Sequence, residues 1–101
     1  MKKPILIYAD FMKCDDEGRL VLVCYGTHKD LEEHKITLEE GIKLVFSNDD
    51  ADDNGNRDDL VVEGTVEYDK NKERWTARII WDDIKNISQL SSEEKKKLGF
   101  E

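Results

Sequence analysis

The chain has few of the residues on which most active sites and disulfide frameworks depend. Its 101 residues include two cysteines, two histidines and one proline. It contains no Gly-rich phosphate loop, no Gly-x-Ser-x-Gly elbow, no His-Glu-x-x-His pair and no Cys-x-x-Cys motif. The spacing of Cys24, His28 and His34 fits no familiar zinc site, which favours a core thiol and two solvated loop histidines. Because no nucleophile–base or acid–base pair can be assigned, we predict that the protein is not an enzyme.

Long apolar segments are also missing. No run approaches the roughly 20 apolar residues that a membrane span needs. Near the start, the segment Ile-Leu-Ile-Tyr-Ala at positions 5–9 is ended by Asp10, and this length predicts a strand rather than a signal peptide. We therefore expect no membrane partner.

The two cysteines are predicted to be free thiols. If residues 15–18 close a hairpin, Cys14 lies opposite Arg19 and Cys24 lies opposite Ala9, roughly five rungs of about 3.4 Å away. A disulfide needs α-carbons about 4.4 to 6.8 Å apart, so the two thiols stay unpaired in that arrangement. Free thiols favour a reducing, cytoplasmic location.

Negative charge is what the chain has in excess. Sixteen Lys and Arg residues stand against 24 Asp and Glu, which leaves a formal net charge of -8. A field of this sign repels nucleic acid and anionic membranes, and it attracts cations and basic proteins. The length suits one modest hydrophobic core, so residues 1–101 are predicted to form a single domain.

A two-residue alternation of apolar side chains predicts strands, and it is clearest in the second half of the chain. Matching the apolar faces sets the register of one hairpin. In that register Tyr68 lies opposite Trp75, Val66 opposite Ala77, Gly64 opposite Ile79 and Val62 opposite Trp81. Both tryptophans are then predicted to be buried. Core packing is favoured over a platform for stacking bases, because no basic groove accompanies the rings.

The first half repeats the alternation and predicts a second hairpin, followed by a helical turn and a fifth strand at 42–47. Ser91 with Glu94 three residues later predicts a capped helix near the end of the chain. Five mostly antiparallel strands predict an all-β fold with minor helix, as a small, partly open barrel of the SH3-like or OB-like kind. The barrel core is predicted to span residues 1–90, with an acidic loop at 48–59. Residues 91–101 are predicted to form a short helical tail.

The acidic loop is the most distinctive segment. From position 49 it reads Asp-Asp-Ala-Asp-Asp-Asn-Gly-Asn-Arg-Asp-Asp, and carboxylates this dense repel one another unless something screens them. Residues 50–60 resemble the Asp-x-Asp-x-Asn-Gly calcium loops of EF-hand and FG-GAP proteins. The resemblance implies Ca²⁺ as cofactor, with Gly55 in the tight turn and Asp50, Asp52, Asn54, Asn56 and Asp58 as ligands. It departs from the EF-hand pattern where Val61 replaces the bidentate Glu.

Three interpretations of the loop stay open. It is a solvated connection that Asn54 and Gly55 turn, a calcium site, or an interaction surface. Our leading functional expectation is a small acidic binding or accessory protein that engages a basic protein partner, with Asp49, Asp53 and Asp59 among the contacting residues. A second resemblance, carried by the strands at 58–69 and 75–84, is to a group of short bacterial proteins with no assigned activity, and it implies no site residues.

Overall fold

The computed structural model describes residues 5–100, which fold around one six-stranded sheet. The strands are β1 (Leu6–Tyr8), β2 (Leu20–Val21), β3 (Lys43–Asn48), β4 (Leu60–Asp69), β5 (Arg74–Ile79) and β6 (Lys85–Asn86). The helices are α1 (Tyr25–Glu33) and α2 (Ser92–Leu98), with 3₁₀ turns at Trp81–Asp83 and Ile87–Gln89. Within residues 5–100, neither helix has the length and apolar character needed to cross a membrane.

The sheet is mixed and open. Its strand order is β1-β3-β4-β5-β2, and β6 pairs with the first residues of β4. β1 runs parallel to β3, whereas the other pairings described here are antiparallel. In the described part of the chain β1 and β2 lie at opposite ends of the strand order and do not pair. The predicted β-rich fold with minor helix is confirmed, and the predicted antiparallel barrel is matched only in part.

The β4–β5 hairpin has the predicted register. Tyr68 faces Trp75, Val66 faces Ala77 and Gly64 faces Ile79. The first of these pairs makes an edge-to-face ring contact with centroids 4.9 Å apart. A Cβ at Gly64 would lie 2.9 Å from Ile79 Cγ2 and 3.0 Å from the Phe46 ring. The absence of a side chain at this position therefore leaves room for two large core residues.

The predicted continuation of this hairpin to Trp81 is wrong. β5 ends at Ile79, and the chain leaves the sheet for a 3₁₀ turn. Val62 pairs with Phe46 of β3, and Trp81 keeps 40% of its surface exposed. The indole finds its acceptor on a distant turn, since Trp81 Nε1–H donates to the carbonyl oxygen of Gly18 at 2.8 Å.

The predicted hairpin in the first half of the chain forms only next to its turn, where Cys14 pairs with Leu20 and not with the predicted Arg19. Its turn forms, with the Asp15 N–H donating to the Arg19 carbonyl oxygen at 2.9 Å. However, β1 pairs with β3 and β2 pairs with β5, because these partners bury Ile7 and Leu20 completely in one core. The chain then enters α1 at Tyr25. Both cysteines are free, as predicted.

Helix α1 packs on the core face of the sheet through the buried Leu31 and closes the outer edge of β1. The Thr27 hydroxyl donates to the Tyr8 carbonyl oxygen at 2.6 Å, and the Tyr8 N–H donates to Asp30 Oδ2 at 2.8 Å. Because both main-chain groups of Tyr8 are used, the edge of β1 is blocked at this residue to pairing with another chain.

The opposite face of the sheet carries an arginine surrounded by carboxylates, which we call the Arg19 cluster. Arg19 contacts Asp15 at 2.7 Å, Glu17 at 2.9 Å, Glu67 at 3.3 Å and Asp69 at 3.8 Å. Its side chain is only 11% exposed. Burial raises the pKa of Asp15, but hydrogen bonds from the Arg19 amide and guanidinium and from the Glu17 amide outweigh burial and lower that pKa below its ordinary value.

Helix α2 has the predicted capping box. Ser91 Oγ accepts from the Glu94 N–H at 3.1 Å, and Glu94 Oε1 accepts from the Ser91 N–H at 3.0 Å. The helix ends at Gly99, which has a φ of +91°. Lys85 Nζ donates to Glu94 at 2.8 Å. This hydrogen bond, together with the one from Ser91, lowers the Glu94 pKa from 4.5 to about 2, so β6 and the start of α2 are tied together.

Candidate functional site

The tip of the acidic loop is an ordered turn built on Asp52. Its N–H donates to the Asn56 carbonyl oxygen at 2.8 Å. Its Oδ1 accepts from the N–H groups of Asn54 and Asn56, each at 2.9 Å. Gly55 has a φ of +82°, a conformation that residues with a side chain rarely adopt. The Asn-Gly pair therefore turns the chain as the sequence predicts.

The base of the loop is anchored to β6 and to the 3₁₀ turn that follows it. Asn86 Nδ2 donates to Asp50 Oδ2 at 2.8 Å and to the Asp58 carbonyl oxygen at 2.6 Å. The Ser88 N–H and hydroxyl donate to the two carboxylate oxygens of Asp58 at 3.0 and 2.5 Å. The hydrogen bond from Asn86, followed by one from the Ala51 amide, lowers the pKa of Asp50 below its ordinary value. Tertiary contacts thus hold both legs of the loop.

Arg57 screens part of the negative charge within the loop. An antiparallel bridge joins Ala51 and Arg57, and the Arg57 guanidinium contacts Asp49 at 3.0 Å and Asp59 at 2.9 Å. The hydrogen bond with Asp59 raises the pKa of Arg57. We call these three charged residues the Arg57 cluster. Its arginine is 73% exposed, in contrast to Arg19.

The residues predicted to bind calcium all lie in this hairpin, but their oxygens face different partners. Asp50 accepts from Asn86 and Asp58 accepts from Ser88, while the Asn56 carbonyl accepts from the Asp52 N–H. Among residues 5–100, no three or more His, Cys, Asp and Glu side chains are grouped to hold a metal ion. A calcium site takes about six to eight oxygens. In this conformation Asp50, Asn56 and Asp58 already accept hydrogen bonds within the protein, so binding of Ca²⁺ by the predicted ligands would require these hydrogen bonds to be exchanged.

The residues predicted to contact a partner differ in accessibility. Asp49 is 72% exposed, although it pairs with Arg57. Asp53 lies exposed at the tip, next to the exposed Asp52. Asp59 is only 12% exposed and faces Arg57. The accessible negative surface of the loop is therefore its tip and its first leg.

The residues that anchor the loop are not predicted by the sequence. Asn86 lies 36 positions from Asp50, and Ser88 lies 30 positions from Asp58. Neither carries a local sequence signal, because an Asn and a Ser in a polar segment are unremarkable until the fold brings them to the loop. Arg57 could have been found, since it is the basic residue within the acidic run.

The fold and the loop together define a small β-rich domain with an anchored acidic hairpin on its surface. Comparison of the chain with protein-family models, with curated proteins and with solved structures finds no match.

Proposed function

We propose that this protein is a non-enzymatic binding or accessory protein that engages a basic protein partner through the acidic loop at 48–59. The observation that carries the proposal is a loop anchored at its base that presents carboxylates to solvent. Asn86 and Ser88 hold its two legs, while Asp49 and Asp53 remain exposed. A preorganised acidic surface attracts a basic partner without the entropy cost of ordering a flexible loop.

The overall charge supports the same proposal. A net charge of -8 favours encounter with positively charged proteins and opposes contact with polyanions. The non-enzymatic part of the proposal rests on the sequence, in which no catalytic pair can be assigned. The two free thiols are in keeping with a cytoplasmic location for the interaction.

The test compares partner capture by the loop with capture by an equally charged surface elsewhere. One variant carries Asp49→Asn, Asp50→Asn and Asp53→Asn, and leaves the turn-forming Asp52 unchanged. The control removes three exposed charges on and after α1, through Glu32→Gln, Glu33→Gln and Glu39→Gln. Proteins captured from a lysate at low and high salt are identified by mass spectrometry and counted for each variant.

We expect basic proteins to be captured at low salt by the wild type and by the control, and to be lost from the loop variant. Raising the salt should release them from the wild type, because exposed charges are screened beyond about 8 Å at physiological ionic strength. Equal capture of the same proteins by the loop variant and the control, at both salt concentrations, would contradict the proposal.

Calcium binding through the same loop is the second candidate function. Gly55 lies at the sixth position of the resembled loop and has the positive φ that its sharp turn requires. Because the missing bidentate Glu and the occupied oxygens both weaken such a site, we predict a dissociation constant of roughly 10⁻⁴ to 10⁻³ M.

A further inference from the structure

Two large apolar side chains lie exposed where the chain leaves the sheet after β5. Ile80 is 66% exposed and Trp81 is 40% exposed. We call these two residues the Trp81 patch. An exposed tryptophan next to an exposed isoleucine is a candidate contact surface, because aromatic residues are enriched at the centres of binding interfaces.

The indole is held in place by a contact with a distant part of the chain. Trp81 Nε1–H donates to the Gly18 carbonyl oxygen at 2.8 Å. Gly18 has a φ of +77°, and a Cβ at that position would lie 3.3 Å from Trp81 Nε1. The indole ring therefore lies against the turn at Gly18, whose backbone conformation favours glycine. A ring restrained in this way loses little conformational freedom when a ligand stacks on it.

Carboxylates lie next to Trp81 and next to Gly18 in the sequence. Asp82 and Asp83 follow the ring directly in its 3₁₀ turn, and Asp16 and Glu17 precede Gly18 in the turn below it. All four residues are exposed. Glu17 also contacts Arg19, yet its side chain remains 63% exposed. An exposed aromatic ring attracts a cation, and exposed carboxylates in the two segments that hold the ring add to that attraction.

We propose that the Trp81 patch binds an arginine side chain of a basic partner segment. The guanidinium would stack on the exposed indole, the neighbouring carboxylates would accept its hydrogen bonds, and Ile80 would contact its aliphatic stem. Arginine fits better than lysine, because its planar group stacks on aromatic rings and forms directional hydrogen bonds with carboxylates. This inference rests on the proposed function, since it names the second contact of the same basic partner.

The test uses a synthetic peptide of alternating glycine and arginine, with a matched peptide in which neutral citrulline replaces arginine. Binding is followed by the ¹H–¹⁵N signal of the Trp81 indole, which reports on the ring itself. We expect the indole signal of the wild type to shift with the arginine peptide and to stay in place with the citrulline peptide. Trp81→Leu should weaken binding of the arginine peptide about two- to five-fold, the range of exposed cation–π contacts.

Two further variants keep the result interpretable if Trp81→Leu does not fold. Trp81→Phe keeps an aromatic face, and Asp82→Asn with Asp83→Asn keeps the ring and removes two charges. We expect tighter binding by Trp81→Phe than by Trp81→Leu, and weaker binding by the double Asp variant than by the wild type.

The outcomes also separate this inference from the proposed function. An arginine peptide that shifts only amides of the loop at 48–59, with the indole signal unchanged, would overturn the role of Trp81 and leave the acidic loop as the binding surface. An arginine peptide that binds neither region would overturn the role of Trp81, while capture of basic proteins by the loop would still be judged by the lysate experiment.

Discussion

Arginine meets carboxylates at similar distances in two regions of this protein, with very different surroundings. Arg19 lies 2.7 Å from Asp15, and Arg57 lies 2.9 Å from Asp59. Arg19 is 11% exposed, however, whereas Arg57 is 73% exposed. A buried charge depends on its partners because it has lost its water, whereas an exposed charge is solvated with or without a partner. We infer that the Arg19 cluster stabilises the fold and that the Arg57 cluster leaves the acidic loop available for recognition.

The largest expected difference between the two clusters is in stability. Arg19→Ala leaves Asp15 and Asp69, whose side chains are 7% and 10% exposed, without this cation. We expect this change to lower the free energy of unfolding by about 3 kcal/mol. Arg57→Ala is the matched control, and its urea midpoint should stay at the wild-type value because exposed ion pairs contribute little. Equal shifts of the urea midpoint in both variants would show that burial does not separate the clusters.

A smaller effect on the free energy of unfolding is expected at acidic pH. Burial raises the pKa of Asp15, but its hydrogen bonds lower it below the ordinary 3.8. The Glu67 pKa is lowered below 4.5, mainly by the hydrogen bond from Arg78. A lowered folded-state pKa gives stability that is present above the ordinary value and is lost as the pH falls through the folded-state pKa.

The free energy of unfolding should therefore fall as the pH drops below about 4.5, and it should fall less steeply in Arg19→Ala. Urea unfolding at several pH values measures how steeply the free energy of unfolding changes with pH. Arg57→Ala should show the same pH dependence as the wild type. If the free energy of unfolding depends on pH equally in Arg19→Ala and in the wild type, the Arg19 cluster is not a source of the acid sensitivity.

The smallest expected effect is the response of the exposed region to calcium. Millimolar Ca²⁺ should shift the amide signals of residues 50–60, with Gly55 prominent, and Mg²⁺ should shift them less because it dehydrates reluctantly. Asp50→Ala should abolish the response. The amides of residues 15–19 serve as the internal control, since the carboxylates of Asp15 and Glu17 in this segment are already paired with Arg19. Equal shifts in both acidic regions, or none in the loop, would leave the loop as an interaction surface or a solvated turn.

Local patterns predicted the parts of the fold that local contacts determine. The β4–β5 register follows from alternating apolar residues on two strands that a short turn joins, so few other pairings are open to them. The capping box of Ser91 and Glu94 lies within one helical turn. Alternation failed where it was extended beyond the last paired residue, because it marks a strand without showing where the strand leaves the sheet. Trp81 is that case.

Pairing between strands that are distant in the sequence could not be predicted from local patterns. Alternation in the first half indicates strands but not their partners, and the short turn at 15–18 made a hairpin the simplest choice. The fold instead sends β1 and β2 to opposite ends of the sheet, where Ile7 and Leu20 are fully buried. Covering the core from both ends buries more apolar surface than an isolated hairpin can, and burial of apolar surface is the main force that favours folding.

The candidate site likewise combines features that the sequence determines with features that only the tertiary structure determines. Composition and spacing alone establish the acidic loop, its Asn-Gly turn and the net charge of -8, because charge and turn chemistry belong to individual residues and their near neighbours. The anchoring of the loop by Asn86 and Ser88, the covering of Asp59 and the position of Trp81 over Gly18 depend on segments that lie far apart in the chain. Such contacts form only once the core has brought those segments together, since single hydrogen bonds contribute too little to specify long-range pairing.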